Sequence, residues 1–128
     1  MVFNILVNNH EDHLKNHAFI YDETSRGYRL SPAYDIVPQP PIQMDGEAER
    51  LSLGVGEQGK RATIENALSG YRSFGLTRSQ AHLVVDSMIR IVSRNWVMEN
   101  KRAGISEKEI RKIKPSYSKN LRHSEISR

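Results

Sequence analysis

Between positions 8 and 17 the chain reads Asn8-Asn9-His10-Glu11-Asp12-His13-Leu14-Lys15-Asn16-His17, which gathers two acids, a lysine, three histidines and three amides. Two chemistries suit those residue types. His10, His13 and His17 fall at i, i+3 and i+7, so on a helix they would share a face and could bind a transition metal with Glu11 or Asp12. The competing reading is that histidines in a loop make ordinary hydrogen bonds, and no HExxH order is present. The second chemistry is phosphoryl transfer. It needs a carboxylate to orient an attacking hydroxyl, an amide oxygen a few residues on to help hold magnesium, and another carboxylate from a neighbouring element. Glu11 and Asn16 stand at the acid-x-x-x-x-amide spacing, and Asp35 follows downstream.

The surrounding segments supply supports for such a loop. Val2 to Val7 is an apolar run, too short for periodicity to choose between a buried strand and a short helix. Ala18-Phe19-Ile20-Tyr21 follows the cluster, so the polar residues are held between two apolar segments, as a scaffold presents reactive groups on a loop. His17 to Tyr21 and Gly27 to Leu30, joined by Asp22-Glu23-Thr24-Ser25-Arg26, predict a β-hairpin with the glycine taking positive φ. Pro38, Pro40 and Pro41 require a stiff, extended backbone. Within residues 42–61 only Leu51 to Val55 reads as a strand, in a glycine-rich and charged surround.

From Ala62 the pattern turns helical. Ile64, Ala67, Leu68 and Tyr71 lie on one face of a helix that Gly75 is expected to close. Thr77 with Gln80 forms a capping box. The helix behind it carries Ala81, Val84, Val85, Met88, Val92 and Trp96 on a broad apolar side and ends near Gly104. Ser106 with Glu109 makes a second capping box, with Ile105 and Ile110 as a hydrophobic staple, and Pro115 is expected to end that short helix.

Composition narrows the class. The 128 residues fit one domain, and 38% apolar with 27% charged residues describes an ordinary globular protein. Residues 1–7 fall far short of the roughly 20 that a bilayer requires and lack the marks of a secretory signal, so no membrane role and a cytoplasmic location are expected. The absence of cysteine excludes disulfides, zinc–thiolate sites and a thiol nucleophile. The net charge of +4 is uneven, since residues 101–128 hold 9 basic and 3 acidic groups while residues 1–100 hold 10 and 12. Such a tail can meet nucleic acid or an acidic protein face, and is otherwise a solvated segment.

Two motifs in order carry a family resemblance. Asn8 to His17, followed by Tyr28-Arg29-Leu30-Ser31-Pro32-Ala33-Tyr34-Asp35-Ile36-Val37-Pro38, resembles the C-terminal lobe of HipA-type serine/threonine protein kinases, the toxins of bacterial toxin–antitoxin pairs. The family's pattern is roughly G-N-x-D-x-H-x-K-N, then R-L-S-P-x-Y-D. The helical half, including Arg72 to Leu76 and Trp96 to Ile110, resembles the family's helical terminal region. The resemblance implies a mostly α fold with a short β-hairpin, the C-terminal helical lobe of a protein-kinase-like fold. Residues 1–115 would form that lobe, with the catalytic and metal loop and hairpin in 1–41 and the helical part in 62–114. Residues 116–128 would be a basic, disordered tail.

Carried over by position, Asn16 and Asp35 would bind magnesium and, through it, ATP, while His13 and Lys15 would support the catalytic loop. Glu11 stands where the family has its catalytic aspartate, with Asp12 one residue later and facing away if the register is kept; in a working site Glu11 or Asp12 would take the base's place. Asn8 stands where the family has glycine, which asparagine can replace because it accepts left-handed φ. The family's nucleotide-binding lobe lies upstream of these motifs and has no counterpart in the 128 residues; Gly54-Val55-Gly56 lacks the context of a phosphate cradle.

The resemblance therefore implies an antitoxin or an N-lobe polypeptide as partner, with phosphoryl transfer depending on that lobe. The alternative is a non-catalytic interaction or oligomerisation domain. Apolar surface that would otherwise pack on the lobe, including parts of residues 1–7, predicts a homo-oligomer. DNA contact is expected only indirectly, through the basic tail.

Overall fold

The computed structural model describes residues 1–41 and 49–121. Among the described residues about half are helical, with one two-stranded antiparallel hairpin, consistent with the expected mostly α fold and short hairpin. The opening apolar run resolves as a helix, α1 (Val2–Leu6), in which the Val7 amide donates to the Phe3 carbonyl at 3.0 Å. Ile5, Leu6 and Val7 are almost fully buried. The expected free apolar surface is thereby confined to the start of the run, where Phe3 is 40% exposed and Met1 and Val2 are half-buried.

A hairpin follows, β1 (Phe19–Asp22) and β2 (Gly27–Leu30), with Phe19 opposite Leu30 and Tyr21 opposite Tyr28. Asp22 caps the turn through the Thr24 amide and the Ser25 hydroxyl. The positive φ falls on Arg26, at 49°, rather than on Gly27.

Leu51 to Val55 forms no strand. Residues 49–62 instead double back through isolated bridges, Arg50 to Arg61 and Gly56 to Gly59, which bury Leu51 and Val55. The loop is clasped by Asn66, fully buried on α2 (Ile64–Ser69). Its amide donates to the carbonyls of Gly59 and Arg61 and accepts from the Gln58 amide. Gly56 passes so close to this helix that a Cβ there would lie 1.8 Å from the Asn66 carbonyl oxygen, which commits the glycine-rich stretch to packing. α2 is shorter than its apolar spacing suggests, because Gly70 follows it tightly against Val55 and Gly56. The chain continues as a 3-10 turn, Tyr71–Phe74, ended by Gly75 at φ 66°.

α3 (Arg78–Arg102) starts at the expected box, with the Gln80 amide on Thr77 Oγ1 and the Gln80 side chain on the Thr77 amide. Its buried side is Ala81, Val85, Ile89 and Val92, whereas Val84 and Met88 are exposed. The sequence offers no contrast between the faces, since Leu83, Val84, Met88 and Ile91 make the outer side apolar as well.

The last helix, α4 (Glu107–Leu121), corrects the expected boundary. Pro115 lies inside it, residues 116–121 continue it, and Ser116 and Tyr117 are buried, so a disordered tail does not begin at 116. An interior proline costs about 3 kcal/mol. Burial of Tyr117, whose ring stacks on Trp96 with centroids 4.5 Å apart and planes 17° apart, offsets much of that. The rest of the expected tail, 122–128, and the glycine-rich surround at 42–48 lie outside the described residues. Among the described residues, no helix is long and apolar enough to cross a membrane.

Ile5, Leu6 and Val7 share one core with Val55, Ala67, Val85, Val92 and Tyr117, so α1 is packed by all three later helices.

Two consequences are measurable. Gly56→Ala should destabilise by about 1–3 kcal/mol or more, the scale of overpacking. Gly54→Ala, whose added Cβ meets nothing within 4 Å, should be close to neutral in the same urea titration. At the start of α4, the Ser106 hydroxyl and then its amide hold the Glu109 carboxyl below the ordinary glutamate value. The fold thus favours ionised Glu109. Its contribution is complete above the ordinary value and is lost as pH falls through the lowered one. The stability difference between wild type and Glu109→Gln should therefore vanish on acidification across that window.

Candidate functional site

The polar stretch leaves α1 through Asn8, which takes the left-handed backbone at φ 58° and donates from its amide to the Gln39 carbonyl at 2.9 Å. That bond ties the proline-rich segment to the start of the loop. Asn9 follows, buried, with its amide nitrogen on Asn4 Oδ1 at 3.2 Å. These two asparagines turn the chain out of the core and fix where it emerges.

The loop then winds around a single atom. The Glu11 carbonyl oxygen accepts from the His13 amide at 2.9 Å and from Asn16 Nδ2 at 2.8 Å, while the Asn16 amide closes a 3-10 turn, Leu14–Asn16, on the His13 carbonyl. The acid-to-amide spacing noted in the sequence is thus a physical link. It runs through the Glu11 backbone, and among the described residues no donor meets the Asn16 amide oxygen.

Glu11 and Asp12 differ in burial, because the bond from the His13 amide to the Glu11 carbonyl turns the chain tightly at Asp12. Glu11 is 63% exposed, and its carboxylate lies 3.8 Å from His13 Nε2. Asp12 is buried, at 3% exposure, and accepts from His17 Nε2 at 2.7 Å. The expectation that Asp12 faces away is reversed. It lines a cleft of about 320 Å³ with Asn9, Asn16, His17, Tyr34 and Ile36, whereas Glu11, His13, Lys15 and Asp35 do not line it.

The second motif reaches the loop through Tyr34, whose hydroxyl donates to the Lys15 carbonyl at 2.8 Å. Asp35 is exposed and held at φ 55°, a left-handed conformation that aspartate tolerates better than most residues. Its neighbours Tyr34 and Ile36 both line the cleft, which brings Asp35 to the cleft's rim through the backbone. Lys15 contributes its carbonyl to this junction. His13 keeps Nδ1 buried without a partner.

The three histidines part company. His10 faces the Arg50 carbonyl, at 3.3 Å, and Glu49, at 4.0 Å; His13 faces Glu11 and His17 faces Asp12. The helix that would have aligned them is one 3-10 turn long, and among the described residues no three histidine or carboxylate side chains converge as metal ligands. What the sequence did not reveal is the Asp12–His17 pair. Its spacing of five residues is an ordinary helical or loop separation and becomes a contact only through the 3-10 turn between them.

Fold and cleft together define a helical domain that presents an acid-and-amide loop beside a β-hairpin. The chain belongs to the HipA-like C-terminal domain family, whose model matches residues 1–96. That span takes in the loop, the hairpin, the Tyr34-Asp35 motif and most of α3. No curated protein and no solved structure matches the chain.

Asn8 offers a test of how the loop is launched. Asn8→Gly keeps the backbone and loses one hydrogen bond, for about 0.5–1.5 kcal/mol. Asn8→Val should cost clearly more, since left-handed φ adds about 1–2 kcal/mol or above for a residue with a bulky Cβ. Thermal denaturation of the two variants ranks them.

Proposed function

We propose that this domain is the catalytic and metal-binding half of a HipA-type protein serine/threonine kinase. In this reading it transfers phosphate from a nucleoside triphosphate to a protein hydroxyl once a nucleotide-binding lobe covers the cleft. The observation that carries it is the bond from Asn16 Nδ2 to the Glu11 carbonyl, which orients the amide so that its oxygen would be the atom offered to a cation. The Tyr34–Lys15 bond supports it by tethering the second acid-bearing motif to the same loop. An amide oxygen and a carboxylate are hard donors of the kind magnesium takes, and it keeps several waters besides. Asn16 and Asp35 would hold the ion, which when bound supplies charge neutralisation for the triphosphate. The setting that goes with this reading is a toxin–antitoxin pair.

The hairpin is where the covering lobe would sit. Phe19, Tyr21, Tyr28 and Leu30 share one face, and Phe19 and Tyr28 are 70% and 75% exposed. Leu30 also lines the cleft, so a body resting on this face would close the cleft as well. A second copy of the chain is the competing occupant and corresponds to a non-catalytic oligomerisation domain. The exposed apolar side of α3 would favour that reading equally.

The test combines the chain with a polypeptide carrying a nucleotide-binding lobe, ATP, magnesium and a protein substrate. Phosphate transfer is expected, with a loss of roughly 10²-fold or more in Asp35→Ala, the scale of removing one electrostatic stabiliser. Labelling that persists unchanged in that variant would sink the reading. A stable dimer in sedimentation, dispersed by Tyr28→Ser and with no transfer, would favour the oligomerisation domain.

A further inference from the structure

α3 runs for 25 residues, and its buried side is Ala81, Val85, Ile89 and Val92. A second stripe lies beside that one. Val84, Met88, Ile91, Asn95 and Met98 recur at alternating intervals of four and three, the spacing of a coiled-coil seam, and Ile91 at its middle is 59% exposed. The intervals fix the heptad register, with Met88 and Asn95 at a and Val84, Ile91 and Met98 at d. Val85 and Val92, at the e positions of the same heptads, belong to the domain's own core, so the seam runs along the edge of that core.

An apolar stripe alone does not specify what covers it, and here the polar residues do. Asn95 is the single polar member of the stripe. At an a position asparagine is costly against an apolar partner, and it pairs with the asparagine of the same layer in a parallel copy. Asn95 Nδ2 donates to the Ile91 carbonyl at 2.9 Å. An amide carries two donor hydrogens and an acceptor oxygen, which leaves a hydrogen and the oxygen for such a pair.

Arg94 stands at g and Glu99 at the following e, the two positions that meet across a parallel seam, and both side chains are exposed. Arg102 Nη1 lies 3.0 Å from Glu99 Oε1, so Oε2 is the oxygen offered to the Arg94 of a second copy. The cations at the end of the helix are met within each chain, Lys101 by Glu107 at 2.8 Å and Arg102 by Glu99. Bringing two such ends together therefore does not confront bare charges at 101 and 102.

We propose that α3 pairs with the α3 of a second copy of this chain, parallel and in register, through the stripe from Val84 to Met98. Asn95 complements itself and Arg94 complements Glu99 only in that arrangement. An antiparallel pair centred on Ile91 would set Asn95 against Ser87 and separate Arg94 from Glu99. None of the five stripe residues lines the cleft or belongs to the hairpin, so the pair leaves both open. The proposal is thus independent of the phosphoryl-transfer reading and distinct from a dimer built on Tyr28. A seam of about two heptads makes a small interface, and its dissociation constant should be micromolar.

Sedimentation equilibrium of the whole chain, taken from low micromolar to several hundred micromolar, should fit a monomer–dimer equilibrium. Ile91→Lys, at an exposed position, should weaken the pair by about tenfold or more with helical circular dichroism and thermal midpoint unchanged, while Tyr28→Ser should leave the pair intact. Arg94→Glu or Glu99→Arg alone should weaken it, and the two together should restore it. Because the chain has no cysteine, Asn95→Cys provides a single thiol. Mild oxidation should join two copies through it, whereas Ser93→Cys, on the exposed side of the helix, should stay unjoined. A monomer throughout, or a dimer indifferent to Ile91→Lys, would overturn the proposal, as would a dimer that Asn95→Cys fails to cross-link. Absence of phosphate transfer in the reconstituted assay bears on the kinase reading alone and leaves the pair standing.

Discussion

The structure depends on burying three consecutive residues, Ile5, Leu6 and Val7, at the point where the later helices meet. Each such side chain contributes about 1.5–3 kcal/mol on leaving water. The larger effect is positional. The polar loop begins at Asn8, directly after Val7, so its first atoms inherit the rigidity of the best-packed part of the molecule. A five-residue helix has almost no stability of its own, and this one exists because α2, α3 and α4 surround it.

From that anchor the polar residues divide into two kinds. Asn8, Asn9 and Asn66 use their side-chain amides to satisfy backbone or side-chain groups that folding would otherwise strand, and they shape loops. Asp12, Asn16 and His17 face the cleft. Glu11 shows how a residue can matter through its main chain alone, because its carbonyl gathers the turn while its carboxylate stays in water. That division fits a domain whose cleft is assembled early in the chain and supported from behind.

Much of this was legible in the sequence. The hairpin announced itself through its turn residues, both capping boxes through Thr77–Gln80 and Ser106–Glu109, and the left-handed position through Asn8. Other features were hidden for physical reasons. Pro115 reads locally as a helix end, yet Tyr117 stacking on Trp96 keeps the helix going, and a long-range contact is invisible in a local pattern. On α3, apolar residues occur all round, so spacing could not choose Ile89 over Met88 for the core. The direction of Asp12 depended on the tight turn that the His13 amide closes on the Glu11 carbonyl, and its partner His17 on a 3-10 turn whose length the sequence does not declare.

The stacked pair of Trp96 and Tyr117 also fixes what light can reveal about this molecule. Trp96 is the chain's single tryptophan, and it sits at the junction of α3 and α4, among neither the cleft-lining residues nor the hairpin. Intrinsic fluorescence therefore reports on the docking of the last helix against the scaffold and is insensitive to events in the cleft. Unfolding that begins at α4 would be seen at once, whereas a ligand entering beside Asp12 would pass unnoticed unless the helices moved.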